Sequence, residues 1–595
     1  MSELHPKASK EIAKKILRNN FGIEGELIEL VGEIDANFAV TIGEIKTYVL
    51  KISQACFSDS IKFQTEIIKN LSQKEIELPL PKPVTDLNGD FLTEYIEEDN
   101  KYIGRLLTWI PGRLMAQVNP ILPELLVDLG KKAGKITREL QNFRHPFDSR
   151  KLHWDIAQGA WCEDFLELFD LDKKAILQYY LALFKETQSC YKQLRKSVIH
   201  NDLNENNIIV SLHKTHPDVL ALIDFGDAIY SQTINDLAIA CAYGMMNFPD
   251  PLASCLDLIK GYHESFPLEE KELTHLYCLI AMRLVISVTK SAINKSQNPE
   301  NTYLQISDKA AWDLLLKWRE VDPDFAHFSF RQACGFDAHP NEIHFQNWAQ
   351  QQCLSLSNLF PDSTCEKIHL LDLSIASEWI GHHEDYNNLD FFQFKIDQLQ
   401  KANPDKIIAG GYLEPRPIYT SDSYDKIGNN GKESRTVHLG IDFWLAAGTP
   451  VAALYDGEIV TAVNDAGNKE YGGLLILKHC ENDLIFFTLY GHLSVASALT
   501  HSVGDLVKKG DSIAVLGNYP ENGNWASHLH FQIMLSMLDY QIDFPGVTYP
   551  NQLNIWKSLC PDPNLLFKLD NLKTKYGPDN DSLLNYRKQH LGKSL

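Results

Sequence analysis

No two of the eleven cysteines stand as a CxxC pair, and their number is odd, which speaks for reduced thiols and against a disulfide framework. Basic charge is in deficit as well. Against 78 acidic residues there are 56 lysines and arginines, a formal charge of -22, and no Lys/Arg block offsets it. That balance repels nucleic acid and anionic membrane, and neither is expected as a partner. Long apolar runs are missing: the most apolar helical stretch, Leu276 to Val288, is shorter than a bilayer crossing and contains Arg283. The first ten residues are polar with no apolar run behind them, so no signal peptide is read. Internal repeats and low-complexity tracts are absent too. These absences point to a soluble cytoplasmic protein. What is present, 44% hydrophobic and 10% aromatic residues, can fill several cores, and a chain of this length suggests roughly three to five domains.

Short strands are expected at Leu27 to Val31, Phe38 to Ile42, Thr47 to Ile52 and Phe91 to Tyr95, with a helix over Ile61 to Leu71 between the last two. From Pro123 to about Glu320 a 3.6-residue period dominates, broken by apolar strands at Ile208 to Val210 and Leu220 to Ile223. Residues 336–430 read as a mixed α/β connector. From Thr436 to Met534 short strands alternate with Gly-rich turns, the character of an all-β module.

Two constellations carry chemistry. The first is Val198-Ile-His-Asn-Asp-Leu-Asn-Glu-Asn-Asn207, with the spacing His-x-Asp-x-x-x-x-Asn, followed by Leu222-Ile-Asp-Phe-Gly226. Asp202 is placed to accept the proton of a substrate hydroxyl. Asn207 and Asp224 are placed to hold Mg²⁺ against nucleotide phosphates. Lys51, in Tyr48-Val-Leu-Lys-Ile52, reads as a phosphate-clamping lysine on a strand, and Glu66 as its ion-pair partner on the next helix. His200 reads equally as a structural hydrogen-bonding residue. Gly32-Glu-Ile-Asp-Ala-Asn-Phe38 is no GxGxxG loop, so phosphate contact there is inferred only.

With Arg105-Leu-Leu-Thr-Trp-Ile-Pro-Gly112, these segments resemble the aminoglycoside phosphotransferase and choline kinase superfamily, its hydroxylysine kinase branch most of all, over residues 20 to 335. Asn201 stands where aminoglycoside kinases commonly have glycine and choline kinases asparagine. The resemblance implies a kinase-like fold, with a small lobe over about 20–110 and a helical lobe over about 111–335. It also implies a small hydroxy-amine substrate and ATP or GTP with Mg²⁺; an aminoglycoside-modifying enzyme is the alternative.

The second constellation comprises Arg435-Thr-Val-His-Leu-Gly-Ile-Asp442, Leu489-Tyr-Gly-His-Leu-Ser494 and Ser527-His-Leu-His-Phe-Gln532. Residues i and i+2 of a strand share a face, so His528 and His530 project together, and Gly440 argues for a strand end or bulge. Two histidines and a carboxylate make a plausible catalytic zinc set that leaves a position open for water. The elements resemble the M23 (LytM/lysostaphin-type) metallopeptidases, together with Ala447-Gly-Thr-Pro-Val451 and Val503-Gly-Asp-Leu-Val-Lys-Lys-Gly510, over a module at 431–560. By resemblance His438, Asp442 and His530 hold zinc, and His492 and His528 are the catalytic pair. Leu439 replaces a common arginine, and Gly517 to Ser527 is longer than the family's usual run into the histidines. A peptide or peptidoglycan fragment is the implied substrate; a binding or scaffold module without proteolysis is the alternative. In the tail, 561–595, the run from Asn585 to Leu595 resembles the opening of class III pyridoxal-phosphate aminotransferases. This suggests a shortened or split fusion whose pyridoxal-phosphate enzyme is absent or separately encoded as a partner.

Overall fold

Apolar alternation in the first hundred residues produces an antiparallel sheet in which Glu26–Leu30, Ala36–Ile42, Ile45–Gln54 and Asn100–Thr108 pair in that order, with Pro83–Val84 and Thr93–Glu97 both on the last strand. The computed structural model describes residues 8–32, 35–74, 80–98, 100–297, 306–375, 377, 379 and 387–572. The chain divides into two compact units, Met1–Cys334 and Gly335–Leu595.

In the first unit the long strand Asn100–Thr108 lies beside Ile45–Gln54 and sets Arg105 opposite Lys51. Composition alone had not revealed this strand. The helix Lys10–Phe21 was also unread; Ala13, Ile16 and Leu17 bury its inner face against Phe38, Leu50 and Leu106. The helical lobe follows. Asp250 and Asp322 each precede a proline and each accepts a backbone N–H from three residues on, so the chemistry of a helix start is written twice in Asp-Pro. Helices Pro123–Leu140 and Pro251–Ser265 meet at Gly130 and Gly261, where a Cβ would stand 2.1 Å from the Leu258 carbonyl oxygen and 2.0 Å from that of Val127.

The apolar stretch around Leu276 is part of a longer helix, Glu270–Gln297, long and apolar enough by length and composition to cross a membrane. Here it is the core helix of the lobe. Tyr277 and Trp318 exchange hydrogen bonds across it, and most of its residues are buried. Two small ladders carry the motif loops: Lys196–Ile199 with Ile229–Gln232, and Val219–Leu222 with Ile208–Val210 and Arg113–Leu114. The loop from His200 to Asn207 therefore runs between two paired strands, and Asp224 leaves a third.

In the second unit eight strands form one sheet in the order Ile368–Leu370, Ile407–Gly410, Ile441–Trp444, Leu529–Met534, Leu484–Leu493, Gly472–Glu481, Gly457–Asp465 and Leu506–Val507. The first two come from the segment read as a connector. It is built into this unit because the Ile407–Gly410 strand finds its backbone partner in Ile441–Trp444. The helix Leu389–Ala402 then packs Phe392 and Ile396 on Ile408 and Trp444. All eleven cysteines are free thiols. The aminotransferase-like run Asn585 to Leu595 lies outside the described residues.

The glycine contact between the two crossing helices makes a prediction. Gly261→Ala forces the helices apart and should destabilise the first unit by about 1–3 kcal/mol, read as a lower midpoint in urea unfolding.

Candidate active sites

The catalytic-loop spacing acts in three dimensions through His200 and Asp236. The Asp236 carboxylate accepts the backbone N–H of His200 (2.9 Å) and of Asn201 (2.8 Å). The fully buried His200 Nε2 donates to the Ile223 carbonyl (2.9 Å), and its Nδ1 accepts the Asp202 N–H (3.3 Å). His200 is thus a strut that fixes the loop against the strand leading to Asp224. Asn201 takes a left-handed φ of 65°, turning the chain so that Asp202 faces away from this strut.

Asp202 receives hydrogen bonds at both oxygens. Asn207 Nδ2 (2.7 Å) and Asn204 Nδ2 (3.0 Å) donate to Oδ2, and Arg283 Nη2 donates to Oδ1 (2.9 Å). Because the Asn207 nitrogen is spent on Asp202, its amide oxygen is left to face a cation. Lys51 Nζ lies 3.1 Å from Asp224 Oδ2. Burial alone would raise the Asp224 pKa, but the charges of Lys51 and Arg105 outweigh it and pull it down to about 2. The pairing expected between Lys51 and Glu66 is not made: Glu66 pairs with Lys69 of its own helix (3.3 Å), and Asp35 stands 4.0 Å from Lys51. Asp35 is itself held by Arg105 (3.1 Å) and Ser53 (2.6 Å), so the loop without a GxGxxG pattern is tethered by an ion pair.

Four further residues went unread. Arg283 is buried, stacks on Trp154 at 4.7 Å and donates to the Trp154 carbonyl and the Tyr243 hydroxyl. A charge inside an apolar helix is its signal, since such a group must find a partner. Arg150 bridges Ser60 to the Gly226 and Ala228 carbonyls, tying the Asp-Phe-Gly turn to the small lobe. Asp227 and Glu205 are carboxylates near Asp202. Burial, then the Asp202 charge, raises Asp227 to about 6; burial likewise raises Glu205, whose Oε2 has no partner.

In the second unit, Asp442 and His530 sit directly opposite each other on paired strands. The strand from His438 breaks at Leu439 and Gly440, and a Cβ at Gly440 would lie 2.7 Å from the His530 ring. The donor atoms His438 Nε2, Asp442 Oδ1 and His530 Nδ1 lie 2.9, 3.2 and 3.3 Å apart pairwise. The outer atoms of the three residues decide their protonation. His438 Nδ1 faces the Gly411 carbonyl (2.9 Å) and His530 Nε2 faces Gln532 Oε1 (3.0 Å), so both protons point outward. Asp442 Oδ2 accepts from Arg416 (2.7 Å). Three lone-pair atoms are left facing one another, an arrangement that could hold a cation. Zinc fits, since tetrahedral ligands about 2.0–2.1 Å from it lie about 3.3 Å apart. Burial, aided by Arg416, lowers the His438 pKa to about 3, which keeps the ring neutral as a ligand must be.

His492 and His528 join this trio, their rings 4.3 Å apart. Their Nδ1 atoms face the carbonyls of Asn522 (2.9 Å) and Ala526 (2.7 Å), and burial holds both rings neutral. All five residues border one cleft. Arg416 was not read from the sequence; it also binds Glu414 (2.7 Å), and the two come from the connector segment, which pairs with the His438 strand.

Comparison with known proteins assigns a family to each of the two segments. Residues 27–264 match the Phosphotransferase enzyme family and residues 436–541 match Peptidase family M23. The chain is 30% identical over 339 residues to the hydroxylysine kinase of Bos taurus, covering 52% of this chain and 89% of that protein. It is 32% identical over 149 residues to lysostaphin of Staphylococcus staphylolyticus (24% of this chain, 29% of that protein). It is 41% identical over 97 residues to the glycyl-glycine endopeptidase ALE-1 of Staphylococcus capitis (16% of this chain, 24% of that protein). On the peptidase side, therefore, the chain spans less than a third of those relatives' length. Neither matched family segment reaches the aminotransferase-like tail.

The buried arginine beside the ligand trio gives a prediction. Arg416→Gln removes the charge that orients Asp442 and should weaken zinc binding about 10–100-fold, measured by competition with a chromogenic chelator.

Proposed function

Because the chain belongs to the phosphotransferase enzyme family, hydroxylysine kinase-like in its N-terminal half, and joins to it a peptidase family M23 domain, we propose that it is bifunctional. One site phosphorylates the hydroxyl of a small hydroxy-amine, and the other hydrolyses peptide bonds with zinc.

The observation that carries the first reading is Asp202, held at both oxygens between Arg283 and Asn207. Asp202 orients the substrate hydroxyl and takes its proton as the oxygen bonds to the γ-phosphorus and the bond to the departing nucleoside diphosphate breaks. Lys51 neutralises phosphate charge. Asn207 and Asp224 would hold Mg²⁺, which supplies charge neutralisation across the phosphates when bound. Glu205 and Asp227 favour a cationic amine: two half-buried carboxylates with raised pKa values beside Asp202 gain from a substrate ammonium. Hydroxylysine heads the substrate panel, ahead of choline, ethanolamine and aminoglycosides, each tried with ATP and GTP. Asp202→Asn should lower kcat at least about 1,000-fold with an unchanged circular dichroism spectrum; full turnover in that variant removes Asp202 from the role.

For the second site, His438, Asp442 and His530 would hold zinc, which supplies Lewis acidity to water and to the peptide carbonyl when bound. His492 and His528 have their Nδ1 protons pinned to backbone carbonyls and so offer Nε2 to the cleft. They take a proton from water as its oxygen adds to the acyl carbon, and return one to the amine as the C–N bond breaks. The similarity to a glycyl-glycine endopeptidase makes oligoglycine the first substrate to try. Chelation should abolish peptide cleavage, and zinc should restore it. A protein that binds zinc and cleaves no peptide is the binding module of the alternative reading.

A further inference from the structure

The cleft that holds the zinc ligands is also bordered by charged groups that neither reaction step uses, Arg435, Lys469, Glu470 and Asp543 among them. Lys469 lies at its edge, half-buried, with Nζ 3.9 Å from the Trp525 ring centroid and 3.3 Å from the Asn524 carbonyl oxygen. Its backbone is fixed on both sides: its N–H donates to the Gly523 carbonyl (2.9 Å), and its carbonyl accepts the Tyr424 hydroxyl (2.9 Å). Among the described residues no carboxylate pairs with it. The nearby acids, Glu470 and Asp543, are raised by burial and by neighbouring carboxylates, which the charge of Arg435 only partly offsets; Arg435 is itself held over Tyr424 and on the Ser423 carbonyl. Burial without a compensating charge lowers the Lys469 pKa to about 8. A cation desolvated against an indole with only a carbonyl for company is costly unless an anion arrives.

The surroundings say what anion fits. Trp525 separates Lys469 from the two cleft histidines, its ring 5.9 Å from His492 and 6.2 Å from His528. A group on Lys469 is thus within two or three extended residues of the reacting centre. One wall of the cleft is formed by Leu373, Phe392, Ile418 and Tyr419, all upstream of the matched peptidase segment. A partly enclosed cleft lined by both apolar and polar side chains suits a small ligand.

Resting on the peptidase reading above, we propose that this cleft takes short peptides by their free C-terminal carboxylate, with Lys469 as its receptor. The site then releases a dipeptide or tripeptide from a chain end and has little use for cross-linked polymer.

The test compares tetraglycine with tetraglycine amide, using the zinc-loaded full chain at neutral pH, where Lys469 is largely protonated. The expected wild-type preference for the free acid is about tenfold in kcat/KM, carried mainly by KM. Lys469→Gln should bring the acid-to-amide ratio close to one, and Lys469→Arg should keep part of it. Calorimetric binding of the two peptides, with zinc content as a check on folding, gives a second readout. Equal cleavage of acid and amide by the wild type, or an unchanged preference in Lys469→Gln, overturns the proposal. Absent cleavage of both peptides counts against the peptidase reading. In that case binding decides the role of Lys469: selective binding of the acid that Lys469→Gln loses supports it, and equal or no binding overturns it.

Discussion

A carboxylate that must stay ionised away from water needs a cation beside it, and both units meet this constraint in the same way. In the first, Arg283 holds Asp202 from within the longest helix. In the second, Arg416 holds Asp442 from a segment upstream of the strand that carries it. Each arginine is almost fully buried and each makes further contacts, Arg283 with Tyr243 and Trp154, Arg416 with Glu414. Removing either carboxylate leaves an uncompensated buried arginine, so the pairs bind the chemistry of each site to the packing around it.

The same constraint shapes the nucleotide side of the first unit. Lys51, Arg105, Asp35 and Asp224 form one alternating set, with the two cations on neighbouring strands and the two acids on loops. The set keeps Asp224 ionised and anchors the chain at Asp35, where the sequence has no glycine-rich phosphate cradle. In the second unit the outward hydrogen bonds of His438 and His530 do comparable work: with their protons committed to Gly411 and Gln532, the inner nitrogens are ligands in waiting.

Local pattern made much of this legible. The spacing from Asp202 to Asn207 and the Asp-Phe-Gly turn fall on one loop and one strand end, and the structure brings them together because short ladders flank both. His528 and His530 were readable from the two-residue period of a strand. Lys51 was readable as a strand lysine, but its partner was not. Glu66 had the right position in sequence, while the ion pair goes to Asp224 and Asp35 by way of the tertiary approach of lobe, loop and sheet. Residues 336–430 carried no chemical pattern because their contribution, two strands of the large sheet and the Glu414–Arg416 pair, has meaning only against the strands they join.

By itself the sequence determined which residue types are available and at what local spacing: a proton acceptor with its amide and second carboxylate, and two histidines on one strand with a His-x-x-x-Asp before them. Periods of two and 3.6 residues are properties of neighbouring backbone, so they survive in one dimension. Only the tertiary structure decided which charges neutralise which, where the ring protons point, and that Lys469 has no carboxylate partner among the described residues at the edge of the histidine-lined cleft. Those outcomes depend on burial and on contacts between residues tens of positions apart, and electrostatic energy is set by distance and solvent access rather than by order along the chain.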